Sequence, residues 1–405
     1  MSTRPLEGIR VLDFTHGVAG PYTAMLLGDM GCDVIKIEQP DRGDSTRYMN
    51  VAERFMTDIP KVGGDYFLAV SRNKRSVGID IKTDEGRNLC HRLAGWADIV
   101  LQSFRPGVMT RLGLDHAALR AHNPRLIYAS LSAYGQDGSL ADKPGMDIAV
   151  QARSGVMRIT GVPGSQEPIR PGASMADFAG GIYLYAAITT ALFHRERSGE
   201  GQEVQLSLMD ATMSMLMNYS VAVMDGHAEL GPVGSGHPQL VPYQAFATSD
   251  GHVVVAAGTN KVFRELCVCL GCPELAQDER FRSNQNRVRH RTELIPLMEP
   301  LTRSRSTAAW LAIFDAADIP SAPVQDLPTA FEQLRSTSPG MVQTVEHPVA
   351  GPLSLLGVPF RFSHTHGDIR RPPPMLGEHT DQVLAEVLGM GPEAIGSLRA
   401  AKVVG

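Results

Sequence analysis

The sequence is short of cysteine and aromatic residues and has no basic run. Five cysteines in 405 residues, an odd number, offer no disulfide framework, so reduced thiols in a cytoplasmic protein are expected. Three of them form Cys267-x-Cys269-x-x-Cys272, but a structural zinc site wants four paired ligands, and positions 267 and 269 diverge on the helix implied by residues 262–270. They read as buried thiols, and no metal site is expected there or at His364 and His366. A net charge of −5 without any Lys/Arg-rich stretch excludes a general nucleic-acid binder. No apolar run reads as long enough to span a membrane, and the first strand-like run, from Ile9, follows no leader-like segment. With 43% hydrophobic and 20% charged residues, the chain has material for a large core and two domains.

The N-terminal half alternates β-branched runs with amphipathic helical ones, the pattern of β-α units feeding a mostly parallel sheet. Strands are predicted at 9–14, 33–38, 76–81, 98–101, 125–131 and 203–207, with helices at 83–96, 175–197 and 208–223. The methionines at 209, 213, 215 and 217 read as core filler. The first turn, Gly17-Val18-Ala19-Gly20-Pro21, opens a helix as in a Rossmann unit but lacks the G-x-G-x-x-G fingerprint. Nicotinamide binding is therefore disfavoured, while the helix start remains a place for phosphate. A Gly/Pro-rich stretch at 231–238 marks a boundary, and 240–325, with strands at 243–247 and 252–257, reads as a smaller second domain.

Asp177 stands at the start of the long apolar helix and is followed by Gly180 and Gly181. Ser174-x-x-Asp177 matches a capping box, with Ser174 as N-cap. A helix N-terminus stabilises negative charge, so an ionised Asp177 able to attack a carbonyl is expected near neutral pH. The glycine pair one turn later would let a bulky ligand approach the backbone.

Several segments together resemble the class III CoA-transferases: LEGIRVLDF at 6–14, GCDVIKIE at 31–38, NKRS at 73–76, FRPG at 104–107, the Asp177 segment, GEGQ at 199–202 and LGEHT at 376–380. The likeness is strongest to the oxalate- and dicarboxylate-type transferases. It implies an α/β fold: a Rossmann-like, mostly parallel large domain from 1–225 and 326–405, a smaller α+β domain at 226–325, and an interlocked ring-like homodimer. Asp177 matches the family's nucleophile, which forms an acyl anhydride and then a CoA thioester. Coenzyme A and acyl-CoA would be substrates, with no permanently bound cofactor, and the other partner a small carboxylic acid. CoA contacts are implied at His16, Val18, Ala19, Gln39, Ile79 to Lys82, Ser103, Phe104, Arg105, Arg111, Met146 and Asp147, and a substrate loop at Gly234, Ser235, Gly236 and His237. Val18 stands where the formyl-CoA enzyme has glutamine, Gln39 where it has arginine, and Asp147 where it has glutamate. These departures argue against formyl-CoA/oxalate specificity, and succinyl-CoA with a dicarboxylic acceptor is expected instead.

Two rivals remain at this point. An α-methylacyl-CoA racemase would pair the aspartate with a histidine, but the matching tripeptide is Gly145-Met146-Asp147, and a thioether exchanges no proton. A non-catalytic acyl-CoA-binding protein would use Asp177 only as a cap.

Overall fold

The computed structural model describes residues 4–51 and 59–405. They form two compact units, one of residues up to 156 with 170–228 and 334–405, the other of 157–169 with 229–333. Residues 157–169 and 326–333, expected in the large domain, thus fall in the second unit.

The first unit is built on six parallel strands: β1 (Arg10–Asp13), β2 (Asp33–Glu38), β3 (Lys74–Gly78), β4 (Ile99–Gln102), β5 (Ile127–Ser132) and β6 (Glu203–Ser207). Their spatial order is β3-β2-β1-β4-β5-β6, parallel at every pairing. The order reverses between β1 and β4, and ligands of open α/β sheets bind at such a switch, beyond the carboxyl ends of the strands. The loops leaving β1 and β4 therefore meet there, where the His16 N–H donates to Ser103 Oγ at 3.0 Å. One face of the sheet packs against helix Asp84–Trp96 and the C-terminal helices through Leu89, Leu93, Val383 and Leu384. The other packs against helices Ala19–Asp29 and Met175–Ser198 through Ala24, Leu27, Leu184 and Ile188.

Four details differ from expectation. β3 begins at Lys74 rather than Ser76, because Lys74 is buried against Asp13 (3.5 Å) and Arg75 against Asp33 (2.6 Å), which lets two charged residues enter a buried strand. The Met-rich helix breaks in two, Leu208–Ser214 and Met217–Met224. Met209 packs against the core, but Met213, Met215 and Met217 are exposed on this chain and fill nothing. Helix Met175–Ser198 is long and apolar enough to cross a membrane by length and composition alone, contrary to the sequence reading. Here it lies on the sheet, with one stripe from Ala176 to Arg195 buried.

The loop after β1 sits on buried charges. Lys36 Nζ lies 3.0 Å from Asp44 Oδ2 and donates to the Thr15 carbonyl at 2.7 Å. Lys74 Nζ donates to the Pro21 carbonyl at 2.8 Å. Glu38 takes a bidentate bond from buried Arg47 at 2.7 and 2.8 Å. Such pairs rarely add net stability, but losing one partner strands a buried charge.

The second unit carries an antiparallel sheet of β7 (Tyr243–Ala247), β8 (His252–Ala256) and β9 (Ser321–Pro323). Phe246, Phe263, Trp310 and Phe314 form its core, joined by Cys267 and Cys272, while Cys269 is half-buried.

Gly180 and Gly181 serve helix packing, which corrects the expectation that a ligand uses them. A Cβ on Gly181 would stand 2.7 Å from the Tyr22 ring and 2.9 Å from the Ala19 carbonyl oxygen; one on Gly180 would meet only the end of Leu208, at 2.5 Å. A backbone oxygen cannot turn aside, so Gly181→Ala should cost about 1–3 kcal/mol in urea unfolding. Gly180→Ala should come out within about 1 kcal/mol of the parent, its clash offset by better helix propensity.

Candidate active site

Asp177 lies in the first turn of Met175–Ser198 and lines a cavity of about 600 Å³ together with His16, Val18, Ser103, Met146, Asp147 and Arg170. The carboxyl is half-buried yet open to this space.

Ser174 precedes the helix, but its side chain makes no capping bond. Its ψ of 70° departs from the extended backbone of a working N-cap. The capping group is Asp147, brought in by the short helix Asp147–Arg153. Asp147 Oδ1 accepts from the N–H groups of Ala176 at 2.9 Å and Asp177 at 3.3 Å. Its Oδ2 accepts from Gln151 Nε2 at 2.7 Å and faces Arg170 Nη2 at 3.4 Å.

This arrangement reverses the expected electrostatics of Asp177. The helix N-terminus is already neutralised by one carboxylate, so it holds no second one in the ionised form. Burial, then repulsion from Asp147, push the Asp177 carboxyl up to about 7, against the pull of the Arg170 guanidinium.

Most of the other residues implied by the resemblance fall into three groups. His16, Val18, Ala19, Ser103, Met146 and Asp147 line the Asp177 cavity. Gln39, Ile79 and Lys82, with His16 and Phe104, line a second cleft of about 300 Å³ that also carries Arg42. Ser103, Phe104 and Arg105 line a third cleft of about 620 Å³, where His16 and Met146 recur. Arg111 closes the short surface helix Val108–Arg111 and lines none of these three clefts. His16 sits against the Phe104 ring at 5.1 Å, and burial holds its imidazole below the usual range despite Asp44.

Gly234, Ser235, Gly236 and His237 belong to the second unit. There the Gly234 N–H donates to Gly161 O at 2.9 Å and the Gly236 N–H to Val233 O at 3.0 Å. Gly180 is buried inside its helix, where its N–H belongs to the helical ladder. Neither Gly180 nor Gly234 therefore presents an unoccupied N–H.

Sequence reasoning missed Arg42 and Arg170. Asp41-Arg42-Gly43-Asp44 reads as a polar turn, and Arg170 reads only as part of the approach to the helix. Asp147 was implied as a CoA contact, but its capping role joins residues thirty apart and leaves no local mark.

A parallel sheet with a crevice at its switch point, and two carboxyls, Asp147 and Asp177, at a helix mouth lining that crevice, define an α/β fold with a ligand site there. The family model "CoA-transferase family III" matches residues 6–380, and the chain belongs to that family. It is 36% identical over 403 residues to human (Homo sapiens) succinyl-CoA:glutarate CoA-transferase, covering 99% of this chain and 90% of that protein. It is 36% identical over 328 residues to acetyl-CoA:oxalate CoA-transferase of Acetobacter aceti, covering 80% and 82% of the two. Among solved structures, a CAIB/BAIF family protein from Brucella suis superposes with a TM-score of 0.83 at 34% identity, covering 96% of this chain and all of that one. The protein is thus a class III CoA-transferase, an enzyme whose substrates are CoA thioesters.

The raised Asp177 carboxyl has a consequence for stability. Its unfolded form titrates near 3.8 and its folded form near 7, so the folded state binds the extra proton between those values. That contribution is complete below about pH 4 and is lost as pH rises through about 7. Asp177→Asn should therefore be more stable than the parent at pH 8, on the order of 1–2 kcal/mol after solvent screening, and the gap should close by pH 4 in denaturation curves.

Proposed function

We propose that the protein moves CoA from succinyl-CoA to a free dicarboxylic acid such as glutarate through covalent intermediates on Asp177. The carrying observation is the Asp177 carboxyl, open to a cavity of about 600 Å³ and poised near pH 7 between its two charge states.

In the first step an Asp177 oxygen attacks the thioester carbonyl, the C–S bond breaks, and CoA leaves as thiolate. The thiolate attacks the Asp177 carboxyl carbon of the resulting anhydride and releases the donor acid as its carboxylate. The acceptor carboxylate then attacks the aspartyl-CoA thioester, expelling the thiolate again. Attack of the thiolate on the acceptor acyl carbon gives the new acyl-CoA and regenerates Asp177. No proton is gained or lost over the cycle, and no water enters. Lys82 and Arg42 in the cleft below His16 suit the phosphates of CoA, and the apolar walls at Val18 and Ile79 suit its uncharged parts. The unit containing β1–β6 would carry CoA. Met146, at the position where a racemase holds histidine, favours transfer over two-base proton exchange.

Incubation with succinyl-CoA should leave a CoA thioester on Asp177, visible by intact mass and trapped by hydroxylamine. Asp177→Ala should show no adduct and lose at least about 10³-fold in exchange rate. An Asp177→Ala variant with full exchange activity would falsify the mechanism.

The same reading extends to an interlocked homodimer located in the cytoplasm. Supporting it, Met213, Met215, Met217, Val221 and Met224 leave an apolar surface exposed on the single chain, and all five cysteines are free. Sedimentation at micromolar concentration should show a dimer that persists on dilution; a monomer there overturns the assembly.

A further inference from the structure

We propose that Arg170 selects the acceptor: its guanidinium grips the remote carboxylate of a dicarboxylic acid while the other carboxylate takes CoA. The inference rests on the CoA-transfer reading and adds to it the residue that distinguishes a dicarboxylic from a monocarboxylic acid.

Arg170 is the one Lys or Arg among the described residues lining the Asp177 cavity. The cavity's other ionisable groups are two carboxyls, Asp147 and Asp177, with Tyr66 and His16, whose imidazole burial keeps toward the neutral form. Without Arg170, a dianion would enter a site of its own sign. Attachment of CoA makes Asp177 neutral, which leaves the Asp147 anion and the Arg170 cation balanced. A monocarboxylate then brings only the charge that reacts. A dicarboxylate brings one more, and Arg170 is the group able to receive it.

The guanidinium is available for this. Its Nη2 touches Asp147 Oδ2 and Ser174 Oγ, each at 3.4 Å, the long limit of a hydrogen bond. Among the described residues no bond from Nη1 or Nε accompanies them, and 36% of the side chain is exposed. Where the structure does use arginine to lock its own fold, the geometry is different: Arg47 and Arg72 are buried and hold their carboxylates through two nitrogens at 2.7–2.9 Å. Arg170 thus keeps an open fork facing the cavity, the shape that matches a carboxylate in two bonds. Apolar surface at Val18, Leu131, Met146 and Ile148 lines the same space and suits a short methylene chain between two carboxylates.

The test compares glutarate with pentanoate, which has the same number of carbons and one carboxylate, both as acceptors from succinyl-CoA. The donor half-reaction is common to the two, so the ratio of their kcat/KM values reports the acceptor step alone. The wild type should prefer glutarate. Arg170→Met should lower the glutarate-to-pentanoate ratio by about 10- to 100-fold, through KM for glutarate, on top of any change common to both acids that follows from losing its contact with Asp147. Arg170→Lys should give an intermediate ratio, since it keeps the charge and loses the fork, and it carries the test if the Met variant does not fold. Equal losses for both acids would show that Arg170 acts only by holding Asp147, and would overturn the proposal. So would a wild type without preference or a ratio unmoved by either substitution. A wild type that transfers CoA to neither acid, with no adduct on Asp177, overturns the transfer reading itself.

Discussion

The site depends on one constraint: the positive end of helix Met175–Ser198 is occupied by a carboxylate from elsewhere in the chain. Asp147 Oδ1 takes the first free N–H groups of that helix, and Gln151 holds its other oxygen at 2.7 Å, with Arg170 Nη2 beside it at 3.4 Å. A helix mouth usually lowers the pKa of an acid in its first turn. Here the N–H groups at that mouth are taken by Asp147 Oδ1, and Asp177 meets burial and a like charge instead. Two aspartates at one helix end are thereby pushed into different roles, one structural anion and one titratable group.

Beneath them, the fold supplies a floor that does not give. The loop after β1 is held by the Lys36 ammonium on the Thr15 carbonyl and by Asp44, whose Oδ1 accepts from Thr46 and, at 3.2 Å, from the Gly17 N–H. These groups are almost wholly inaccessible to water, so their geometry is enforced by the cost of leaving any one unpaired. The first helix is fixed from the other side, where Thr23 Oγ1 donates to the Gly181 carbonyl at 3.0 Å and Gly181 admits the Ala19 backbone. Asp177 and the His16 loop thus sit on two helices that touch at a glycine. The cavity wall is formed by packed secondary structure on both sides.

Much of this was legible in the sequence because it is local. Strands at 33–38, 203–207 and 243–247 matched to the residue, being short runs of strand length in which apolar side chains alternate, as at Val204 and Leu206 or Tyr243 and Ala245. Asp177 stood out from its spacing to the helix start, and the family resemblance gathered His16, Ser103 and Asp147 before any of them could be seen together. What failed was tertiary. Ser174 carried the letter pattern of a cap, yet its backbone is not extended and the cap comes from thirty residues upstream. Lys74 and Arg75 looked too polar for a buried strand because their partners, Asp13 and Asp33, lie on neighbouring strands. Gly180 and Gly181 were read toward a ligand when they face helices. The exposed methionines were read as core because periodicity reports an apolar face without saying what covers it.

The raised carboxyl also bears on the energetics of the proposed cycle. Joining a carboxylate to an acyl group or to CoA removes its charge, so whatever disfavours that charge in the free enzyme favours the covalent adduct. Displacement of the Asp177 carboxyl from 3.8 to about 7 corresponds to at most about 4 kcal/mol of such bias, less the part screened by solvent reaching the cavity. An ordinary carboxylic acid in water has no comparable incentive. The bias therefore acts on one side of each exchange and pulls the acyl or thioester group toward Asp177 and away from the free acids. Asp147 strengthens it by its charge and Arg170 moderates it. An adduct held too firmly would not be released, so the counter-charge beside the pair sets how far the equilibrium leans.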